Sequence, residues 1–207
     1  MERMCRTHGP TRRPLGCRLL TLVVGWALSG CNHLVLEPIL VVPTNQPVPY
    51  SARVQLAEVG AYLVQSGATM IADPSLQNHV IAKVPSAERA QPQWEEAIRE
   101  YVLGRRTFRQ VVKEGPADLS MTLRVFIYVD PSTSFTFNHI YVAKVDGALR
   151  DPHSGRVLLD YVGTGQAVGA VSRGGQEDDR EPINRAVRAA LNDLFGKLEQ
   201  DKRWQHL

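Results

Sequence analysis

The chain reads as an α+β protein: a two-layer sandwich of mostly antiparallel sheet with two or three helices on one face. Three stretches predict it. From Asp118 to Val129 the residues alternate strictly, with Leu119, Met121, Leu123, Val125, Ile127 and Val129 on one side and Ser120, Thr122, Arg124, Phe126 and Tyr128 on the other. Segments 138–150 and 156–167 flank the turn cluster Asp151-Pro152-His153-Ser154-Gly155, which predicts a hairpin. Near the C-terminus, Ile183, Ala186, Val187, Ala190, Leu191, Leu194, Phe195 and Leu198 recur at helical spacing and form one unbroken apolar stripe.

The remaining elements follow in order. Leu34 to Pro43 is apolar and β-branched, and Pro38 makes it an edge strand or a bulge. Thr44 to Pro49 is a breaker stretch. Ser51 to Gln65 admits two readings. As a helix, Ser51 caps it, Leu56, Val59 and Leu63 share a face, and Gly67 stops it. As a strand, Val54 and Leu56 alternate with Arg53 and Gln55, but Glu58 breaks the alternation. The helix is the favoured reading. Ala68 to Ala72 reads as a strand ended by Asp73-Pro74, and His79 to Val84 as another short strand. Gln91 to Leu103 is a helix: Pro92 suits its first turn, and Trp94, Ala97, Ile98, Tyr101 and Val102 make its inner face. Glu95 and Arg99 form an i,i+4 pair, and Gly104 is the expected stop. Phe108 to Val112 is a short strand. Gly174 to Arg180 is a polar loop, and Pro182 opens the last helix.

The N-terminus is of another kind. Arg3, Arg6, Arg12, Arg13 and Arg18 face a single acid, Glu2, and an uncharged run from Leu19 to Leu28 follows. A basic region, a short apolar region and small residues make an export signal. The run is shorter than the roughly 20 apolar residues that span a bilayer. It ends in Leu28-Ser29-Gly30-Cys31, which resembles the bacterial lipobox: an aliphatic residue, a small residue, Gly or Ala, then Cys. The resemblance implies that residues 1–30 are removed and that Cys31 carries a diacylglycerol and becomes the acylated first residue. Several chains suit a stable anchor, because each buried methylene contributes about 0.8 kcal/mol and one chain holds only marginally. The expected organisation is therefore a signal peptide at 1–30, an anchored Cys with tether at 31–50, and one domain at 51–207.

Charge and cysteine usage follow from that cut. Taking 30 residues from 207 leaves 177, enough for one domain with a core. The signal holds five of the 24 basic and one of the 21 acidic residues, so the mature chain has 19 and 20 and a net charge of −1. Bulk charge thus gives no support to nucleic-acid binding. Cys5 and Cys17 leave with the signal, so no disulfide and no thiol chemistry is expected of the domain.

The order of elements in the mature part also resembles small envelope lipoproteins. The residues that carry this are Ala117-Asp118 to Val129, the hairpin, and Ile183 to Leu198, well under half of the chain. The LPS-assembly lipoproteins and the amino-terminal domain of the TolB-like proteins are similar in pattern. No functional residue carries over from that resemblance.

The candidate sites are modest. Arg105, Arg106, Arg109 and Lys113 cluster after the second helix and could meet phosphates; the simpler reading is a solvated complement to a helix C-terminus. Phe126, Tyr128 and Tyr141 on the outer strand faces, with Phe135 and Phe137 in the following loop, are candidate partner contacts, since aromatics anchor interfaces. Core packing is the plainer reading for the two loop rings. Glu177, Asp178, Asp179 and Glu181 lack EF-hand spacing and read as a solvated loop. Gly163, Gly165 and Gly169 resemble a dinucleotide loop only as a string of glycines, since the surroundings read as strand. His33, His79, His139, His153 and His206 are scattered without ligand spacing. No Gly-x-Ser-x-Gly elbow is present.

The expectation is a non-catalytic, lipid-anchored periplasmic accessory protein without cofactor or metal. Its partners would be the membrane, through Cys31, and an envelope protein, with no nucleic acid. Asn32 after the anchor, under lipoprotein sorting rules, implies the periplasmic face of the outer membrane. A lipid or glycolipid binder is the first alternative, and a cell-wall hydrolase the second.

Overall fold

The computed structural model describes residues 41–70, 75–84, 86–131, 138–170 and 180–206. Six strands form one sheet: β1 (Val48–Val64), β2 (Val80–Lys83), β3 (Phe108–Val111), β4 (Leu119–Asp130), β5 (Asn138–Arg150) and β6 (Val157–Ala170). The helices are α1 (Ser86–Arg89), α2 (Gln91–Arg105) and α3 (Arg180–Gln200). The sheet runs β2-β1-β4-β5-β6, and β3 lies beside β1 on the same side as β2. Helices α2 and α3 cover one face, so the α+β sandwich expected from the sequence is what forms. The β1–β2, β4–β5 and β5–β6 pairs are antiparallel, and β1 runs parallel to both β3 and β4.

The segment from Ser51 is strand, not helix. It is the central part of β1, paired with β4 from Ala52↔Leu119 to Leu63↔Val129. The apparent break at Glu58 is a β-bulge: Leu56 pairs with Leu123 and Glu58 with Arg124, leaving Ala57 as the extra residue. The bulge shifts the phase by one. Ala52, Val54 and Leu56 point to the helices before it, and Val59 and Ala61 do so after it. Because a one-residue shift exchanges the faces of a strand, the shift reads in sequence as lost alternation.

The expected strand at Ala68 to Ala72 is also corrected. Ala68–Met70 is a 3-10 turn, and 71–74 lie outside the described residues. The buried carboxylate of Asp130 holds this turn. It accepts from the Gly67 and Thr69 amides at 2.9 and 3.0 Å and from Thr69 Oγ1 at 2.8 Å. Helix α2 passes through Gly104 and closes at Arg106, whose left-handed backbone (φ 59°) lets its amide reach the Leu103 and Val102 carbonyls. Pro92 occupies its first turn as expected, and the Glu95–Arg99 pair forms at 3.1 Å. Residues 41–47 form no strand, and the rest of the predicted edge strand at Leu34 lies outside the described residues.

The main core lies between sheet and helices. Every residue of the predicted stripe on α3 is buried there, with Trp94, Ile98, Tyr101 and Val102 from α2. Helix α3 sits directly on β6, which explains the glycines. A Cβ on Gly163 would lie 2.0 Å from the Ala190 carbonyl oxygen, and one on Gly165 would lie 2.1 Å from that of Ala186. The glycine string is a track for a helix backbone, not a phosphate loop. The outer edge of β6 is occupied too: its Thr164 amide donates to Asp193 at 3.0 Å, and its Val162 and Val168 carbonyls accept from Lys197 and Arg185 at 2.8 and 2.9 Å.

Candidate functional site

The second face of the sheet carries no α-helix among the described residues; the 3-10 turns Ala68–Met70 and Leu76–His79 pack on the end of it beside Tyr128 and leave the rest open. Strand register fixes its rows: Gln55, Thr122, Ala148 and Asp160 lie in one, Glu58, Arg124, Asp146 and Val162 in the next, then Gly60, Phe126, Lys144 and Thr164, then Tyr62, Tyr128, Val142 and Gln166. The alternation that buries Met121, Leu123, Val125 and Ile127 against the helices turns Thr122, Arg124, Phe126 and Tyr128 outward.

This face has two halves. One is aromatic: Tyr62 stacks on Tyr128 at 5.6 Å between centroids and meets Phe126 at 6.4 Å. Val64, Ala68, Leu76, Val80 and Val142 pack around them. Burial raises the Tyr128 phenol above its usual value, so it stays a neutral donor. The other half is charged. Asp146 takes Arg124 at 3.4 Å and Lys144 at 3.2 Å, and Arg124 lies over the Phe126 ring at 5.9 Å. A shallow crevice of about 540 Å³ runs through it beside Thr122, Arg150 and Asp160.

A second concavity, of about 760 Å³, opens at the end of the sheet where β1 and β4 begin. Tyr50, Ser51, Asp118, Asp151, His153 and Arg156 line it. Asp118 accepts from Ser51 through its amide and its Oγ, both at 2.7 Å, and from Arg109 at 3.1 Å. The Ser51 bonds, then Arg109, hold its carboxyl below the usual range. The group is therefore anionic at neutral pH and unsuited to act as an acid; it clasps β4 to β1.

The sequence-derived candidates are placed as follows. Arg105 turns inward to Glu199, Arg106 caps α2 on the surface, Arg109 reaches Asp118, and Lys113 is exposed in the turn after β3. Phe126 and Tyr128 are on the open face, Phe126 half-buried and Tyr128 buried. Tyr141 is not. It pairs with Val129 and lies on the helix side, 1 % exposed. Cys31, His33, Phe135, Phe137, Glu177, Asp178 and Asp179 lie outside the described residues. Glu181 pairs with Arg185 at 2.9 Å. Among the described residues no three His, Cys, Asp or Glu side chains gather to hold a metal, and no helix is long and apolar enough to cross a membrane. Tyr62 was missed because its segment was read as helix. The Ser51–Asp118 clasp joins residues 67 apart and has no local signal.

No family model matches the chain, and no curated protein matches it. Among solved structures, a Xanthomonas campestris protein of family DUF330 superimposes with TM-score 0.49 at 13 % identity, over 81 % of this chain and 93 % of that one. A Helicobacter pylori homologue of neuraminyllactose-binding hemagglutinin gives 0.35 at 11 % identity, over 84 % and 93 %. A lipoprotein of Neisseria meningitidis gives 0.25 at 14 % identity, over 61 % and 89 %. Structures of lipoproteins thus stand among the matches. At these scores the likeness carries no inference about activity.

Proposed function

We propose that the chain is a lipid-anchored accessory protein of the bacterial periplasm, at the outer membrane, that acts by binding an envelope protein and not by catalysis. The Leu28-Ser29-Gly30-Cys31 box after its apolar run carries the anchoring part. The open sheet face supports the binding part: it joins an aromatic group, Tyr62, Phe126 and Tyr128, to a charged half around Asp146. Aromatic anchors beside oriented charges favour a protein partner over a free hydrocarbon ligand.

The test is crosslinking and capture from native membranes, with the Cys31→Ala form as control. Recovery of one envelope protein by the anchored form, and its loss when Phe126→Ala is introduced, is the expected result. Recovery of lipid or glycan alone would move the glycolipid-binding reading to the front. A Cys31→Ala chain that stays in the membrane after removal of the leader would end the anchoring reading.

A further inference from the structure

The tether enters the domain at a defined place. Val41 packs on the core beside Gly104, and the Thr44 amide donates to the Arg105 carbonyl at 2.7 Å. Nine residues, and so ten Cα–Cα steps, lie between Cys31 and Val41. Even fully extended they span at most about 36 Å. Strand β1, with 17 residues, is about 55 Å long. If Cys31 is in the bilayer, the end of the sheet where β1 begins is the end held near it. This inference therefore rests on the anchoring reading above.

That end gathers the C-termini of α2 and α3, the β3–β4 connection and the β5–β6 turn, all of them places where this chain puts cations. Its carboxylates are largely engaged within the domain. Asp118 takes Arg109, Asp201 takes Arg203, Glu199 takes Arg105, and Asp151 accepts from Ser154 and the His153 amide. Arg106, Lys113, Arg156 and Lys202 are exposed and form no ion pair among the described residues; Glu114 beside them and Asp160 near the start of β6 are exposed carboxylates. At the opposite end Lys83 is already paired with Glu88, and Arg89 is a single exposed cation against the four here.

We propose that this end is a docking surface for anionic lipid headgroups, with Arg106, Lys113, Arg156 and Lys202 as its contacts. Four point cations spread over separate loops suit a layer of phosphates better than one bound phosphate, which calls for converging donors. The surface would set the domain upright on the leaflet, leaving the open sheet face clear for its partner. Each cation is expected to contribute roughly a fivefold factor, screened beyond a Debye length of about 10 Å.

The lipidated mature chain has no other cysteine, so a single added one can be labelled. Two forms are made, His153→Cys at this end and Gln77→Cys at the other. Each is reconstituted into phosphatidylcholine vesicles, with or without one part in three of phosphatidylglycerol and with a headgroup quencher. Expected is strong quenching at position 153, little at 77, and dependence on phosphatidylglycerol that vanishes in roughly 0.5 M salt. Arg106→Asn, Lys113→Gln, Arg156→Gln and Lys202→Gln together should reduce that dependence tenfold or more, while Arg156→Lys retains it. Quenching equal at both labels, or indifferent to phosphatidylglycerol and salt, overturns the docking surface alone. A chain that does not float with the vesicles overturns the anchoring reading and this surface with it.

Discussion

Arg105 and Glu199 form a two-pronged ion pair across 94 residues of sequence, Nε to Oε1 at 2.8 Å and the second nitrogen to Oε2 at 2.9 Å. Thr107 Oγ1 adds a third bond to the same carboxylate at 2.8 Å, and Asn192 ties Arg105 to the Tyr101 hydroxyl. The pair ties the end of α2 to the end of α3. Removing one partner leaves a nearly buried charge alone, so Glu199→Ala is expected to cost about 3 kcal/mol. Arg105→Lys should cost a smaller part of this, because a lysine keeps the charge opposite Glu199 but cannot reproduce the planar fork. Urea denaturation with an unchanged m-value would measure both.

Glycines on β6 and α3 should behave oppositely. Gly163→Ala drives a methyl into the Ala190 carbonyl and should destabilise by about 1–3 kcal/mol or more. Gly196 lies inside α3 with open space at its Cβ position. Gly196→Ala should therefore stabilise by about 0.5–1 kcal/mol. Thermal melts of the two variants decide it; shifts of the same sign would contradict the close contact of helix and strand.

The Tyr161–Asp201 bond, at 3.0 Å, predicts a pH profile with two limbs. Arg203 holds the Asp201 carboxyl at about 2, against an ordinary 3.8. Its folded value is depressed, so its contribution is present above pH 4 and lost as pH falls toward 2. Burial, then Asp201, raises the Tyr161 phenol above its ordinary 10.0. That contribution is present below pH 10 and lost as pH rises further. Asp201→Asn should flatten the acid limb and Tyr161→Phe the alkaline one, read as urea midpoints against pH.

The bulge in β1 makes a prediction about length. Deleting Ala57 leaves Leu56 inward, Glu58 outward and Val59 inward, a regular strand with both halves in phase. The Gln91 contact to the Ala57 carbonyl is lost, and the deletion should cost about 1 kcal/mol. Deleting Gln55 instead also absorbs the bulge and keeps Val54 and Val59 inward, but it sets Ala57 inward in place of Leu56. That chain should lose about 2–5 kcal/mol, read as a urea midpoint beside that of the Ala57 deletion.

These cases mark how far the sequence could be read. Strands with unbroken alternation, such as Leu119–Asp130, and the stripe on α3 were legible because local period and buried face agree. Ser51 to Val64 was not, because its inward residues keep neither period across Ala57 and the strand it pairs with along most of its length, β4, lies 66 or 67 residues on. The end of α2 was misplaced at Gly104 because Arg106 takes the left-handed position that a glycine was expected to fill. Of the candidate site, Phe126 and Tyr128 were legible from alternation; Tyr62 followed the misread strand, and Tyr141 fell on the wrong face because its register to β4 is set by pairing, not by its own neighbours.

The three side chains along the free edge of β6 bear on crowding. Under the lipid anchoring proposed above, copies are confined to a plane, where collisions between edges are frequent. A fourteen-residue strand with an open edge would invite each copy to extend its neighbour's sheet. Asp193, Lys197 and Arg185 already occupy three of the backbone groups such a neighbour would need, spread over the middle of the strand. The last helix thus serves as a selvedge as well as a cover: it finishes the fabric on that side, and copies can share a leaflet without being knitted together.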